Sequence, residues 1–153
     1  MRISVALFLI LLASSACKKE AASMLKDSTN SKYKVGQVWS YKTRPQEPDS
    51  SFTVVKVESL PKLGNIIHVS ISGLRVKNSR EPKGYVDFIA HMPFAEEAID
   101  KSVVKLLKEN VVVGDYYKEG YEDWKHEFNA GEAGIFTVSV ADGADVMEKI
   151  LNQ

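Results

Sequence analysis

The first seventeen residues constrain the rest of the chain more than any other stretch. Arg2 is a short positive start. Ile3, Val5, Ala6 and the run Leu7-Phe8-Leu9-Ile10-Leu11-Leu12 form an apolar block, and Ala13-Ser14-Ser15-Ala16 brings small residues up to Cys17. That order is the order of a secretory signal peptide, which places residues 1–16 outside the mature fold. The block is too short for a comfortable membrane span, which takes roughly 20 apolar residues. Cys17 is the only cysteine, so whatever folds beyond it has no internal disulfide, although an exported chain meets an oxidising compartment. Residues 17–153 number 137, the length of one domain that can bury a core without disulfides or metal.

Ser14-Ser15-Ala16-Cys17 followed by Lys18-Lys19 resembles the lipobox of bacterial lipoproteins. Ser15 and Ala16 match the small residues of that motif, while Ser14 stands where the family usually carries leucine. The resemblance implies that Cys17 is lipidated and becomes the mature N-terminus. It also implies an envelope address, with Lys18 rather than aspartate after the cysteine favouring the outer membrane over the inner. Lys18 and Lys19 are too few for a polybasic membrane patch, so the lipid is expected to do the anchoring.

The chain carries 20 basic and 20 acidic residues, and residues 1–16 remove only Arg2 from that balance. Near neutrality gives no electrostatic reason to expect a nucleic-acid partner. Residues 18–32 are polar and small without an apolar period, which reads as a flexible tether with a reach of about 20 Å.

Beyond the tether the hydrophobic period is that of strands. Gln37–Thr43 places Trp39 and Tyr41 on one face; Ser51–Glu58 alternates Thr53, Val55 and Val57 against Phe52, Val54 and Lys56. Ile66–Val76 places Ile67, Val69 and Ile71 opposite His68, Ser70 and Ser72, and Gly84–His91 alternates in the same way. The breaks at 44–50, 60–65 and 77–83 are short and rich in turn residues, which argues for antiparallel neighbours. The period then changes. Phe94, Ala98, Ile99, Val103, Leu106 and Leu107 predict a helix over 93–107, with Pro93 in its first turn. Asp115–Asn129 predicts a second helix carrying Tyr117, Tyr121, Trp124 and Phe128. Ile135–Val140 predicts a late strand. A last helix is expected after Asp142 as N-cap, with Val146, Met147, Ile150 and Leu151 inward. The expected order is β-β-β-β-α-α-β-α. The fold class is α+β, a single domain over 33–153 with an antiparallel sheet of four to five strands and helices on one face.

Chemistry-bearing motifs are few. His68, His91 and His126 lack close metal-ligand spacing. His68 and His91 can approach if their strands are neighbours, with Asp87 as a third ligand, but the plainer reading is two strand histidines and one exposed helix histidine, so no metal and no cofactor is expected. Glu119, Asp123 and Glu127 share a helix face that reads as solvated. No GxSxG serine, phosphate loop or free thiol appears, and no catalytic residue is assigned. The stripe Tyr117, Tyr121, Trp124 reads as core, or as partner-binding anchors if its helix is only partly covered.

The segments Val38–Arg44, Ile67–Leu74 and His91–Phe94 are together similar to a family of small uncharacterised bacterial proteins, to which no activity is attached. The expected function is therefore a non-enzymatic binding domain, tethered to the membrane through Cys17 and facing an envelope protein or the cell wall. A protein that neutralises a toxin delivered into the periplasm is one version. The alternative is a periplasmic enzyme with a site in a sheet–helix cleft.

Overall fold

The computed structural model describes residues 24–153, so the expected signal peptide and Cys17 lie outside the described residues. The chain folds as β1 (Lys26–Asp27), β2 (Val38–Tyr41), β3 (Ser51–Leu60), β4 (Gly64–Lys77), β5 (Tyr85–Ala95), α1 (Glu96–Ser102), β6 (Val103–Lys108), α2 (Lys118–Ala130) and α3 (Val140–Leu151), with a 3-10 turn at Asp115–Tyr117 before α2. The fold class is α+β with an antiparallel sheet, as the strand periods imply. The strands lie in the order β5-β4-β3-β2-β6, and β1 shares one edge of β3 with β2. All named pairs are antiparallel.

Several expectations are corrected. Helix 93–107 shrinks to α1, because Pro93 sits inside β5 opposite His68 and Val103 turns extended at the helix end. Val103-Val104 is a β-branched pair that favours a pleated strand, and β2 supplies its backbone partners. The late strand at 135–140 reduces to one bridge, Phe136 to Phe94, running parallel to β5. The last helix begins earlier: Ser139, not Asp142, is the N-cap, its Oγ accepting from the Asp142 N–H. That start turns Val140 and Ala144 inward and leaves Val146 and Ile150 exposed. The tether reading also overreaches. Lys26 and Asp27 pair with Ser59 and Glu58, Ser28 donates to Asn65, and Ser31 donates to Glu96 of α1.

Helices occupy both faces of the sheet rather than one. On the first face Phe52, Val54, Ile67, Val69, Ile71, Met92 and Phe94 pack against Ala98 and Ile99 of α1 and Val140 and Ala144 of α3. Ser102 joins the two helices, donating to Ala98 O and accepting from Val140 N–H. On the second face Ile66 meets Tyr121 and Trp124 of α2. The chain crosses between the layers round the β5 edge, with Ile135 in the second cluster and Phe136 against Phe94 in the first. The second face is therefore covered where α2 lies.

The turn after β2 is pinned to α3. Buried Arg44 forks onto Glu47 at 2.8 and 2.7 Å and reaches Asp145 and Glu148 with its remaining nitrogen. Glu47 in turn accepts from the Arg75 N–H.

Candidate functional site

The most concentrated chemistry lies under α2, and a bulge puts it there. Val54 pairs with Val69 and Lys56 with His68, which leaves Val55 without an opposite residue. The extra residue shifts the alternation of β3. Val57 faces Ile67 in the apolar core, while Lys56 and Glu58 turn to the His68 face. A second irregularity between Val69/Met92 and Ile71/Ile89 sets the register of β5 beside it.

Three side chains then form a line. Glu58 Oε2 faces His68 Nε2 at 3.2 Å, and His68 Nδ1 faces His91 Nε2 at 2.9 Å. The two imidazoles are stacked, with centroids 5.1 Å apart. Glu58 Oε2 and His68 Nε2 have no other partner, so each answers for the other. Tyr121 donates to Glu58 Oε1 at 2.9 Å, and Lys56 stands 3.6 Å from the same oxygen. With Glu58 ionised, His68 must present Nε2–H to it. The bare His68 Nδ1 then accepts from His91 Nε2–H.

The surroundings keep both rings neutral. Burial pushes His68 down, against the pull of Glu58. Burial, with His68 alongside, pushes His91 down to about 3. Burial by itself would raise Glu58, but the bonds from His68 and Tyr121 outweigh it and hold the carboxyl below its ordinary range. Burial and the bond to Glu58 raise Tyr121, which therefore stays a donor. Lys56 is depressed by burial but raised more by Asp27 and Glu58, so it remains charged.

The roof is aromatic. His68 meets Tyr121 and Trp124 edge-on at 5.3 and 5.0 Å, and Trp124 Nε1 donates to Gly134 O. Gly120 lets α2 come this close, because a Cβ there would stand 3.2 Å from His91 Cβ. Gly131, with φ of 76°, ends the helix in the left-handed conformation that glycine takes without strain.

Several residues singled out in the sequence take other roles. Tyr121 and Trp124, 5% and 9% exposed, pack α2 against Ile66 of the sheet, as the core reading of the stripe expects. Tyr117 is half-buried and packs edge-on against Tyr121. Asp87 does not join the histidines; it is exposed and paired with Lys83. His126 and the Glu119, Asp123, Glu127 stripe face solvent. Cys17 lies outside the described residues. Glu58, which completes the line, escaped the sequence reading because regular alternation gives no hint of the Val55 bulge.

Chemically, a carboxylate–imidazole–imidazole line can orient a ring and hold a proton position. Among the described residues no set of three His, Cys, Asp or Glu side chains has metal-ligand geometry. A cleft of about 440 Å³ opens nearby, lined by Asp27, Lys34, Val55, Lys56, Val57 and Tyr117. Lys56 connects it to Glu58, but Lys56 is itself bonded to Asp27.

A different kind of surface lies at the sheet edge. β6 has β2 on one side and no strand on the other among the described residues. Val104 is 65% exposed, Leu107 47% and, beyond the strand, Val112 93%. No helix among the described residues is long and apolar enough to cross a membrane. Comparison with protein-family models, with curated proteins and with solved structures returns no match for this chain.

Proposed function

We propose that this protein is a bacterial envelope lipoprotein whose folded domain works by binding a partner, held to the membrane by lipid on Cys17. One observation carries binding over catalysis: large apolar side chains stand exposed on a strand edge that has no partner strand among the described residues, while the concentrated polar chemistry is used inside the fold. Val104, Leu107 and Val112 stand in water, although large aliphatic side chains gain roughly 1.5–3 kcal/mol each when fully buried. Glu58, His68, His91 and Tyr121 satisfy one another under α2. The lipid supplies the membrane affinity, and the outer membrane is the favoured address on the strength of Lys18.

Fractionation of cells making the parent and Cys17→Ser tests the anchor. The parent is expected in the membrane fraction and the variant in the soluble periplasm; equal membrane partitioning of the two would overturn the lipoprotein reading. Cross-linking in the intact envelope followed by purification tests the binding role. The toxin-neutralising version predicts one discrete protein partner, whereas the cell-wall version predicts glycan fragments. The enzyme alternative places its site in the Lys56 cleft, and Lys56→Met would then abolish the gene's phenotype without weakening partner capture.

A further inference from the structure

We infer that the free edge of β6 is the docking site itself, and that its occupant is an extended protein segment, rich in apolar and acidic residues, that adds to the sheet as a further strand. This rests on the binding role proposed above and says where and how that binding occurs.

Three features meet on this edge. The first is backbone: β6 ends the strand order, so one side of it is open to another strand among the described residues, and such an edge is a template for pairing. The second is apolar. In the pairing with β2, Val38 opposes Lys108 and Trp39 opposes Leu106, so Leu107 has no opposite residue. Ser40 opposes Lys105 and Tyr41 opposes Val103, so Val104 has none either. Bulges usually protect an edge from indiscriminate pairing, yet here the bulged residues are an exposed Val and an exposed Leu. The third is charge. Lys42, Lys101, Lys105 and Lys108 are exposed along this end of the sheet, and none has a carboxylate within 4.0 Å among the described residues.

Together these select the occupant. A lipid surface would take the valines and lysines, but it would leave the strand's backbone donors and acceptors unpaired in an apolar medium. A second copy would pair the backbone, but would bring a second set of lysines to the same seam, and like charges across strands destabilise it. An extended segment with acidic side chains pairs the backbone, covers Val104 and Leu107 and answers the lysines.

The test uses the full-length lipidated protein in detergent, with two labelled ten-residue probes, one alternating Val and Glu and one alternating Val and Lys. The Val–Glu peptide is expected to saturate, to slow hydrogen exchange at residues 103–108 and to bind at least tenfold more tightly than the Val–Lys peptide. The double variant Lys105→Glu/Lys108→Glu, whose melting is expected to match the parent because both side chains are exposed, should reverse that preference. Equal binding of both peptides, protection elsewhere, protection by anionic vesicles alone, or β6-dependent self-association would each overturn the inference. The two readings fail separately. If a partner cross-links in the envelope equally to the parent and to the double variant, the β6 assignment is wrong and the binding role stands; if no partner cross-links, the binding role itself fails.

Discussion

Acid should loosen the α2 layer before it reaches the rest of the fold. His91 is neutral in the native protein down to about pH 3, whereas an unfolded histidine takes up a proton near pH 6.5. Between those limits the unfolded chain binds more protons than the native one, so stability rises with pH there. The contribution of His91 is therefore complete above pH 6.5 and is lost as pH falls toward 3. Each unit of separation corresponds to about 1.4 kcal/mol, which sets a ceiling of about 5 kcal/mol for the whole interval. His68, depressed by burial, acts in the same sense. Glu58 adds to it at the acid end, because its lowered pKa gives stability that disappears as the carboxylate is protonated. Urea melts at pH 7.5, 5.5 and 4.5, followed by circular dichroism, should show a loss of roughly 2–4 kcal/mol across the series. His91→Gln removes the titrating ring. It should lower stability at pH 7.5 yet flatten the pH dependence. A parent whose stability is unchanged down to pH 4.5, or a variant with the parent's slope, would refute the assignment of the acid response to this line.

Other substitutions test the packing. Gly120→Ala gains helix propensity of about 1 kcal/mol but drives a methyl toward His91 Cβ, at an overpacking cost of about 1–3 kcal/mol; a net loss of up to about 2 kcal/mol in thermal or urea melts is expected, and a gain would mean that His91 yields to the added methyl. Arg44→Met leaves Glu47 buried without its fork, and should cost about 3–5 kcal/mol in the same melts. Ile71→Ala should cost about 2–5 kcal/mol, whereas Ser72→Ala, on an exposed side chain, should change stability by less than about 0.5 kcal/mol.

Much of the sheet was legible because β2 to β5 carry alternation that matches one buried face. Val69 and Ile71 face the core as that alternation requires. What escaped depends on contacts distant in sequence. Ser70 reads as solvent-facing, yet it is buried, with its hydroxyl 3.3 Å from the Tyr116 hydroxyl, because the second face of β4 is roofed as well. Apolar spacing over 94–107 fits a helix, and only β2, more than 60 residues earlier, makes Val103–Lys108 a strand. The approach of His68 to His91 could be read from neighbouring strands. The presence of Glu58 could not, because a bulge at Val55 obeys the pairing geometry of β3 and β4 rather than any local residue pattern. Tyr121 and Trp124 show the same limit: an aromatic stripe looks alike whether it meets a sheet or a partner.

The central claim is that a lipid-tethered domain meets a partner at the open edge of β6. The most direct measurement places a photoreactive phenylalanine analogue at position 104, and separately at the exposed position 87 of β5, in the full-length protein made in its own cells. Irradiation should give a discrete protein adduct from position 104, little from position 87, and a weaker adduct from position 104 when Cys17→Ser releases the domain from the membrane. Equal adducts from both positions, or none from position 104 while the protein remains folded and membrane-bound, would contradict the account.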